Sequence, residues 1–122
     1  FARTQFVRQP SLALAYELAK LYAAENEPKK AVEALKVTRY LTVFSSDEVV
    51  LVKQIADFLN QHGDGRLALD LYQKLIDQPR LEKSLRISLL EGGAKVAIAE
   101  GAGRLASSWR HSARQLKSPP PS

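Results

Sequence analysis

Cysteine is absent from this 122-residue chain, and histidine occurs only twice. Without thiols the chain has neither a disulfide framework nor a thiolate metal site, and cysteine usage does not indicate its redox compartment. The histidines, His62 and His111, lie far apart in the sequence, and no His-Glu cluster has the spacing of zinc ligands. No serine stands in the context of an activated nucleophile. We therefore expect no metal, no cofactor and no catalytic residue, in a protein that is not an enzyme.

Long apolar runs and a start signal are also missing. No apolar segment approaches the ~20 residues that a helix needs to cross a bilayer. The chain opens Phe-Ala-Arg, with neither an initiator methionine nor a signal peptide. With 45% hydrophobic and 25% charged residues it suits one domain that buries a real core. We expect an excised piece of a longer protein that does not itself span a membrane.

Positive charge is in excess but unevenly placed. Residues 1–100 hold 14 Lys/Arg and 13 Asp/Glu, whereas residues 101–122 hold four basic residues and no acidic one. A surface for polyanions would spread its charge along a stripe or groove. The net charge of +5 is therefore weak evidence for nucleic-acid binding, and nucleic acid is the less favoured partner.

Apolar side chains recur every three or four residues, which is the spacing of half-buried helices. Six helices are predicted: from Ser11 to Ala24, from Pro28 through Tyr40, from the Ser45 capping box to His62, from Asp64 to Pro79, from Leu81 to Gly101, and through Leu105 to Leu116. Gly63 suits a left-handed helix end and Asp64 suits the cap of the next helix. Mid-helix glycine costs about 1 kcal/mol against alanine, so Gly92-Gly93 predicts a kink or a split.

The chain repeats itself. The segment Gly63–Ala68 reappears as Gly101–Ala106, displaced by 38 residues. Alanines also recur in pairs separated by 12 residues, and these pairs are Ala19 with Ala31, Ala56 with Ala68, and Ala94 with Ala106. Small residues at a fixed separation are what two helices need where they cross closely.

This pattern resembles the tetratricopeptide repeat, a family built from stacked pairs of antiparallel helices. Tyr22, Leu59, Leu35 and Tyr72 stand where that family has large apolar residues. The resemblance implies an all-α fold, with helical hairpins stacked as a right-handed superhelix. It divides the chain into 1–10, the end of a preceding repeat helix; 11–45, the first repeat; 46–80, the second; 81–117, a degenerate third; and 118–122, a proline-rich tail. The spacing of 37 to 38 residues departs from the family's usual ~34.

A nucleotide site is a competing interpretation. Residues 95–100 could be a strand leading into Gly101–Ala106, which matches the glycine fingerprint of a dinucleotide fold. However, the same glycine pattern at Gly63–Ala68 follows an amphipathic helical stretch, and the chain reaches its prolines before an acidic partner could appear. A turn between helices is the simpler interpretation.

In the tetratricopeptide family the first helices of successive repeats line a concave groove that holds a peptide or protein partner. By this resemblance the partner-binding groove residues are Tyr16, Lys20, Lys53, Asp57, Asn60, Glu91 and Lys95. Tyr16 and Lys20 stand where chaperone-tail receptors have lysine and asparagine, so that class is disfavoured. Arg110, Arg114 and Lys117, at i, i+4 and i+7, form a basic ridge. This ridge is either a solvated outer face or a site for an acidic or polyanionic partner.

The alanine-, leucine- and arginine-rich, cysteine-free composition is similar to that of periplasmic repeat regions in bacterial export machines, in particular outer-membrane exopolysaccharide exporters of the Pel type. This resemblance implies a non-catalytic scaffold for biofilm matrix export. Its partner would be a protein, for example a polysaccharide-modifying enzyme, and polysaccharide contact is compatible with it. The implied location is the periplasm, as part of an outer-membrane protein. The alternatives are a basic module that binds nucleic acid or another polyanion, and a regulatory adaptor in the cytoplasm.

Overall fold

A computed structural model describes the backbone of residues 2–36, 38, 46–79 and 81–117, and the side chains of residues 12–36, 38, 48–79 and 81–117. These residues form six helices and no strand, so the predicted all-α class is confirmed. The helices are α1 (Ala2–Ala24), α2 (Pro28–Leu35), α3 (Ser46–Gln61), α4 (Gly65–Ile76), α5 (Lys83–Ala99) and α6 (Gly103–Lys117). They pack mainly as three successive hairpins, α1 with α2, α3 with α4, and α5 with α6.

The same turn closes all three hairpins. Each turn has one residue with positive φ, namely Asn26 at 64°, Gly63 at 97° and Gly101 at 79°. The amides of Glu27, Asp64 and Ala102 donate to the carbonyls of Tyr22, Leu59 and Ala97, over 2.8, 2.9 and 2.7 Å. Glycine adopts positive φ without a Cβ penalty, and asparagine tolerates it better than most residues. The predicted left-handed helix end at Gly63 is therefore confirmed, and it recurs in the other two hairpins.

The alanine pairs lie in the core. All six alanines of the predicted pairs are at most 2% exposed. Among the larger residues predicted to flank them, Leu35, Leu59 and Tyr72 are 0% exposed. Asp64 caps α4, because its carboxylate accepts a hydrogen bond from the Leu67 amide over 3.3 Å. The repeat that the sequence shows is therefore also a repeat in packing.

Residues 95–106 contain no strand. They form the end of α5, a turn and the start of α6, so the dinucleotide interpretation of the glycine pattern is wrong. The glycine that turns the chain is Gly101, at the position that Gly63 occupies in the hairpin before it.

Some predicted helix bounds were wrong. The first helix begins at Ala2 rather than Ser11 and runs through Pro10. Helix α2 ends at Leu35, before the predicted end at Tyr40. Tyr40, the capping residue Ser45 and the tail 118–122 lie outside the described residues.

Helix α5 does not split at Gly92-Gly93. The reason is close packing on both sides. A Cβ added at Gly92 would lie 2.6 Å from the hydroxyl oxygen of Tyr72 in α4, and one added at Gly93 would lie 2.9 Å from Cζ3 of Trp109 in α6. The two glycines therefore let neighbouring aromatic side chains approach the backbone of α5, which offsets the helix propensity they lack.

Arg86 attaches α5 to the end of α4. Its Nη1 donates to the carbonyl of Ile76 over 2.9 Å, and its Nη2 donates to the carbonyl of Gln78 over 2.8 Å. Ile76 is the last residue of α4 and Gln78 lies just beyond it, so neither carbonyl accepts a hydrogen bond within the helix. At the other end of the same pair of helices, the Glu100 side chain lies beside Gly65 in the first turn of α4, where negative charge complements the helix dipole.

Candidate functional site

In the first hairpin, the predicted groove residue Tyr16 contacts the next hairpin. Its ring meets that of Phe58 edge to face, with centroids 5.9 Å apart and planes at 86°. The Lys20 ammonium lies 4.6 Å from the centre of the Tyr16 ring and 3.0 Å from the carboxylate of Glu17. The aromatic contact places Tyr16 in the packing between α1 and α3, whereas Lys20 remains 45% exposed.

In the second hairpin, the predicted groove residues Lys53 and Asp57 lie together. The Asp57 carboxylate accepts a hydrogen bond from the Lys53 ammonium over 3.3 Å and another from the hydroxyl of Tyr72. Asn60, one helical turn further along α3, is half-buried. The Lys53–Asp57 pair has an i, i+4 spacing that is visible in the sequence, whereas the Asp57–Tyr72 contact joins two helices and has no local signal.

The environment of Tyr72 keeps its hydroxyl protonated. Burial raises the pKa of Tyr72 far above its usual range, and the hydrogen bond to Asp57 and that residue's negative charge raise it further. Loss of the phenolic proton would leave two anions side by side in a partly buried contact. The hydroxyl therefore remains a hydrogen-bond donor to Asp57 at neutral pH.

In the third hairpin, α5 and α6 enclose an open depression of about 570 Å³. Five residues line it, and we call them the basic groove: Glu91, Lys95, Arg110, Ala113 and Arg114. The groove residues Glu91 and Lys95 and the basic ridge on α6 were predicted as two surfaces. The structure brings them together as one.

The basic groove carries more positive than negative charge. Lys117, the third residue of the predicted ridge, forms an ion pair with Glu91 at the edge of the groove. In the part of the chain that the structure describes, Lys95 and Arg110 are exposed and neither lies within ion-pair distance of a carboxylate. Residues 83–117 hold seven basic and only two acidic residues. The groove therefore suits a negatively charged ligand.

The first hairpin exposes a different surface. Leu14, Leu18 and Leu21 lie along one face of α1, with 67%, 45% and 62% of their surface exposed. Their counterparts 37 residues later include Ile55 and Phe58, which are 0% and 8% exposed. An apolar stripe of this kind marks a contact surface when it is continuous.

The two histidines have separate surroundings. His62 follows the last turn of α3, with its ring 4.2 Å from that of Phe58, and His111 is exposed on α6. Among the described residues, no three His, Cys, Asp or Glu side chains lie close enough together to hold a metal ion.

Within the described helices, none has both the length and the apolar character needed to span a bilayer. The chain matches no protein-family model, no curated protein and no solved structure.

Proposed function

We propose that this chain is a non-catalytic scaffold of the tetratricopeptide type, whose hairpins stack as a right-handed superhelix and hold a partner protein. The recurrence of one hairpin supports the proposal: three turns of the same kind, with a buried alanine pair beside each, repeat every 37 to 38 residues. Stacked hairpins of this kind contact only their neighbours, so their outer faces and the grooves between them are open to partners.

We propose further that the scaffold belongs to a bacterial envelope machine for exopolysaccharide export. The similarity in composition to Pel-type exporters supports this setting. The partner would be a polysaccharide-modifying protein, and the location would be the periplasm, as part of an outer-membrane protein. If the exported polymer is cationic, the basic groove favours docking of an acidic protein surface over direct binding of the polymer, because like charges repel.

The test is binding of the polysaccharide-modifying protein of a Pel system to the immobilised 122-residue chain. Two double variants address the two predicted surfaces, Tyr16→Ala/Lys53→Ala and Arg110→Ala/Arg114→Ala. A matched control is Lys29→Ala, which removes an exposed cation from α2. We expect at least one double variant to reduce binding and the control to leave it unchanged, with folding checked by circular dichroism. Retention of the partner by both double variants would mean that neither surface holds it, and failure of the native chain to bind would contradict the export assignment.

A second candidate function is binding of a polyanion, which the seven basic residues of 83–117 favour. Salt dependence separates the two candidates. If about three cations contact phosphates, the logarithm of the binding constant should fall with the logarithm of salt concentration with a slope of roughly −2 to −3. Protein docking through a mixed groove should show a shallower slope. A steep slope with a single-stranded oligonucleotide would support the polyanion candidate.

A further inference from the structure

The basic groove is the third copy of a surface that is covered in the other two hairpins. Its residues have counterparts 38 positions earlier, in the register set by the alanine pairs. These counterparts are Lys53, Asp57, Tyr72, Leu75 and Ile76. The same surface therefore occurs in successive hairpins, but its side chains differ.

In the second hairpin this surface is covered by a helix. Helix α5 packs on α3 and α4 with Gly92 against the hydroxyl of Tyr72 and Gly93 against Ile76. In the first hairpin α3 contacts α1 and α2 less extensively, with Phe58 on the ring of Tyr16, and leaves Lys20 45% exposed. An α-helix is thus the occupant that this surface accepts in both examples.

In the third hairpin the described residues place no helix on this surface. Its side chains also differ from those of the second hairpin, because cations replace a tyrosine and an aspartate. Arg110 stands at the position of Tyr72, and Lys95 at that of Asp57. In the second hairpin the corresponding hydroxyl and carboxylate are hydrogen bonded to each other beside Gly92. A helix packed on the third hairpin in the same way would therefore place the side chain at its Gly92-equivalent position beside two cations, Arg110 and Lys95.

We propose that the basic groove is the docking surface for an acidic amphipathic helix of a partner protein, which packs on α5 and α6 as α5 packs on α3 and α4. The inference rests on the proposed scaffold function and specifies its partner. Carboxylates on the partner helix at the point of closest approach pair with Arg110 and Lys95. Glu91 is already neutralised by Lys117 and contributes little repulsion.

A second copy of this chain fits the groove less well. If a second copy stacked on the groove as one hairpin stacks on the next, it would present α1. The open face of α1 carries the apolar stripe of Leu14, Leu18 and Leu21. In this register Glu17 stands where Gly92 stands in α5 and is the one carboxylate that α1 would supply there, but it already pairs with Lys20 over 3.0 Å. The leucines beside it would remove water from Arg110 and Lys95 without supplying a second anion.

The test measures binding of fluorescein-labelled synthetic helices to the native 122-residue protein by fluorescence anisotropy. One alanine-rich peptide of roughly 18 residues carries glutamates three and four positions apart on one face, and its control carries glutamines there. We expect the glutamate peptide to bind at least about tenfold more tightly than the glutamine peptide. Arg110→Gln and Lys95→Gln should each weaken binding about three- to tenfold, and Lys29→Gln on α2 should not.

One variant should strengthen binding. Glu91→Gln removes the one carboxylate that lines the groove and releases Lys117 from its ion pair, so we expect it to tighten binding of the glutamate peptide by about two- to fivefold. A variant that merely disturbed the fold would not improve binding, and equal unfolding midpoints for native chain and variants would confirm that the fold is intact.

Equal binding of the two peptides, or no change on Arg110→Gln and Lys95→Gln, would overturn the inference. If the native chain self-associates in sedimentation velocity and Arg110→Gln abolishes this association, the groove binds a second copy of the chain instead. Tighter binding of a single-stranded oligonucleotide than of the glutamate peptide would assign it to nucleic acid. If neither peptide binds but the chain still binds the polysaccharide-modifying protein, the acidic-helix inference is wrong while the scaffold function stands. If the peptides bind as expected but the polysaccharide-modifying protein does not, the assignment of the groove to an acidic helix stands and the export setting is refuted.

Discussion

Replacing Gly92 by alanine should destabilise the protein, although alanine is the better helix former. The added Cβ would lie 2.6 Å from Oη and 3.1 Å from Cζ of Tyr72. Tyr72 is 0% exposed and its hydroxyl is held by Asp57, so the ring has no free space to move into without losing that hydrogen bond. The side chain that would have to give way is therefore one of the most constrained in the core.

Three effects set the size of this change. Overpacking a core costs about 1–3 kcal/mol, and weakening a hydrogen bond to a charged acceptor adds up to about 1.5–3 kcal/mol. The gain in helix propensity offsets about 1 kcal/mol of this loss. We expect the free energy of unfolding to fall by about 2 kcal/mol, measured by urea denaturation followed by circular dichroism.

A double-mutant cycle attributes the loss to the Tyr72 hydroxyl. In a Tyr72→Phe background the nearest atom to the new Cβ would be Cζ, at 3.1 Å, which a small shift accommodates. Gly92→Ala should then cost less than about 1 kcal/mol, giving a coupling energy of about 1 kcal/mol or more. The control is Gly103→Ala in α6, where no atom lies within 4 Å of the added Cβ, and it should be neutral or stabilising by up to about 1 kcal/mol. A Gly92→Ala protein as stable as native, or a cycle without coupling, would refute the close approach of Tyr72 to α5.

Three further predictions concern Arg86, Tyr72 and Gly101. Arg86→Met keeps an apolar stem but removes both hydrogen bonds to the end of α4, so the free energy of unfolding should fall by about 2 kcal/mol in urea titrations. An equal loss on replacing the exposed Arg104 by methionine would show that the effect does not come from these two bonds. The raised pKa of Tyr72 predicts that stability is lost as pH rises above about 10, because the unfolded chain then releases this phenolic proton and the folded chain retains it. Unfolding free energies at about pH 9 and about pH 11 should therefore differ less in Tyr72→Phe than in the native protein, and identical losses would contradict the assignment. Gly101→Ala places a Cβ on a residue with φ of 79°, so thermal unfolding should show a loss of about 1 kcal/mol, in contrast to Gly103→Ala two residues later.

The sequence alone was sufficient for the helical class, the hairpin turns and most of the core. Two of these signals are local, because hydrogen bonds and φ preferences act within a few residues. They are the helical spacing of apolar residues and the glycine in the turn before α4 and before α6. The buried alanine pairs were also predictable, because repetition along the chain shows which positions are equivalent even when no single position identifies its partner.

The tertiary structure decided how these elements meet. By helix propensity alone Gly92-Gly93 is a weak point of α5, but in the folded protein these glycines are the place where Tyr72 and Trp109 reach the helix backbone. Lys95 and Arg110 were predicted on separate surfaces, whereas the packing of α5 against α6 puts them in one groove. Periodicity tells which face of a helix is buried, but the neighbour that covers this face depends on the crossing of two helices, whose contacts join residues far apart in the chain.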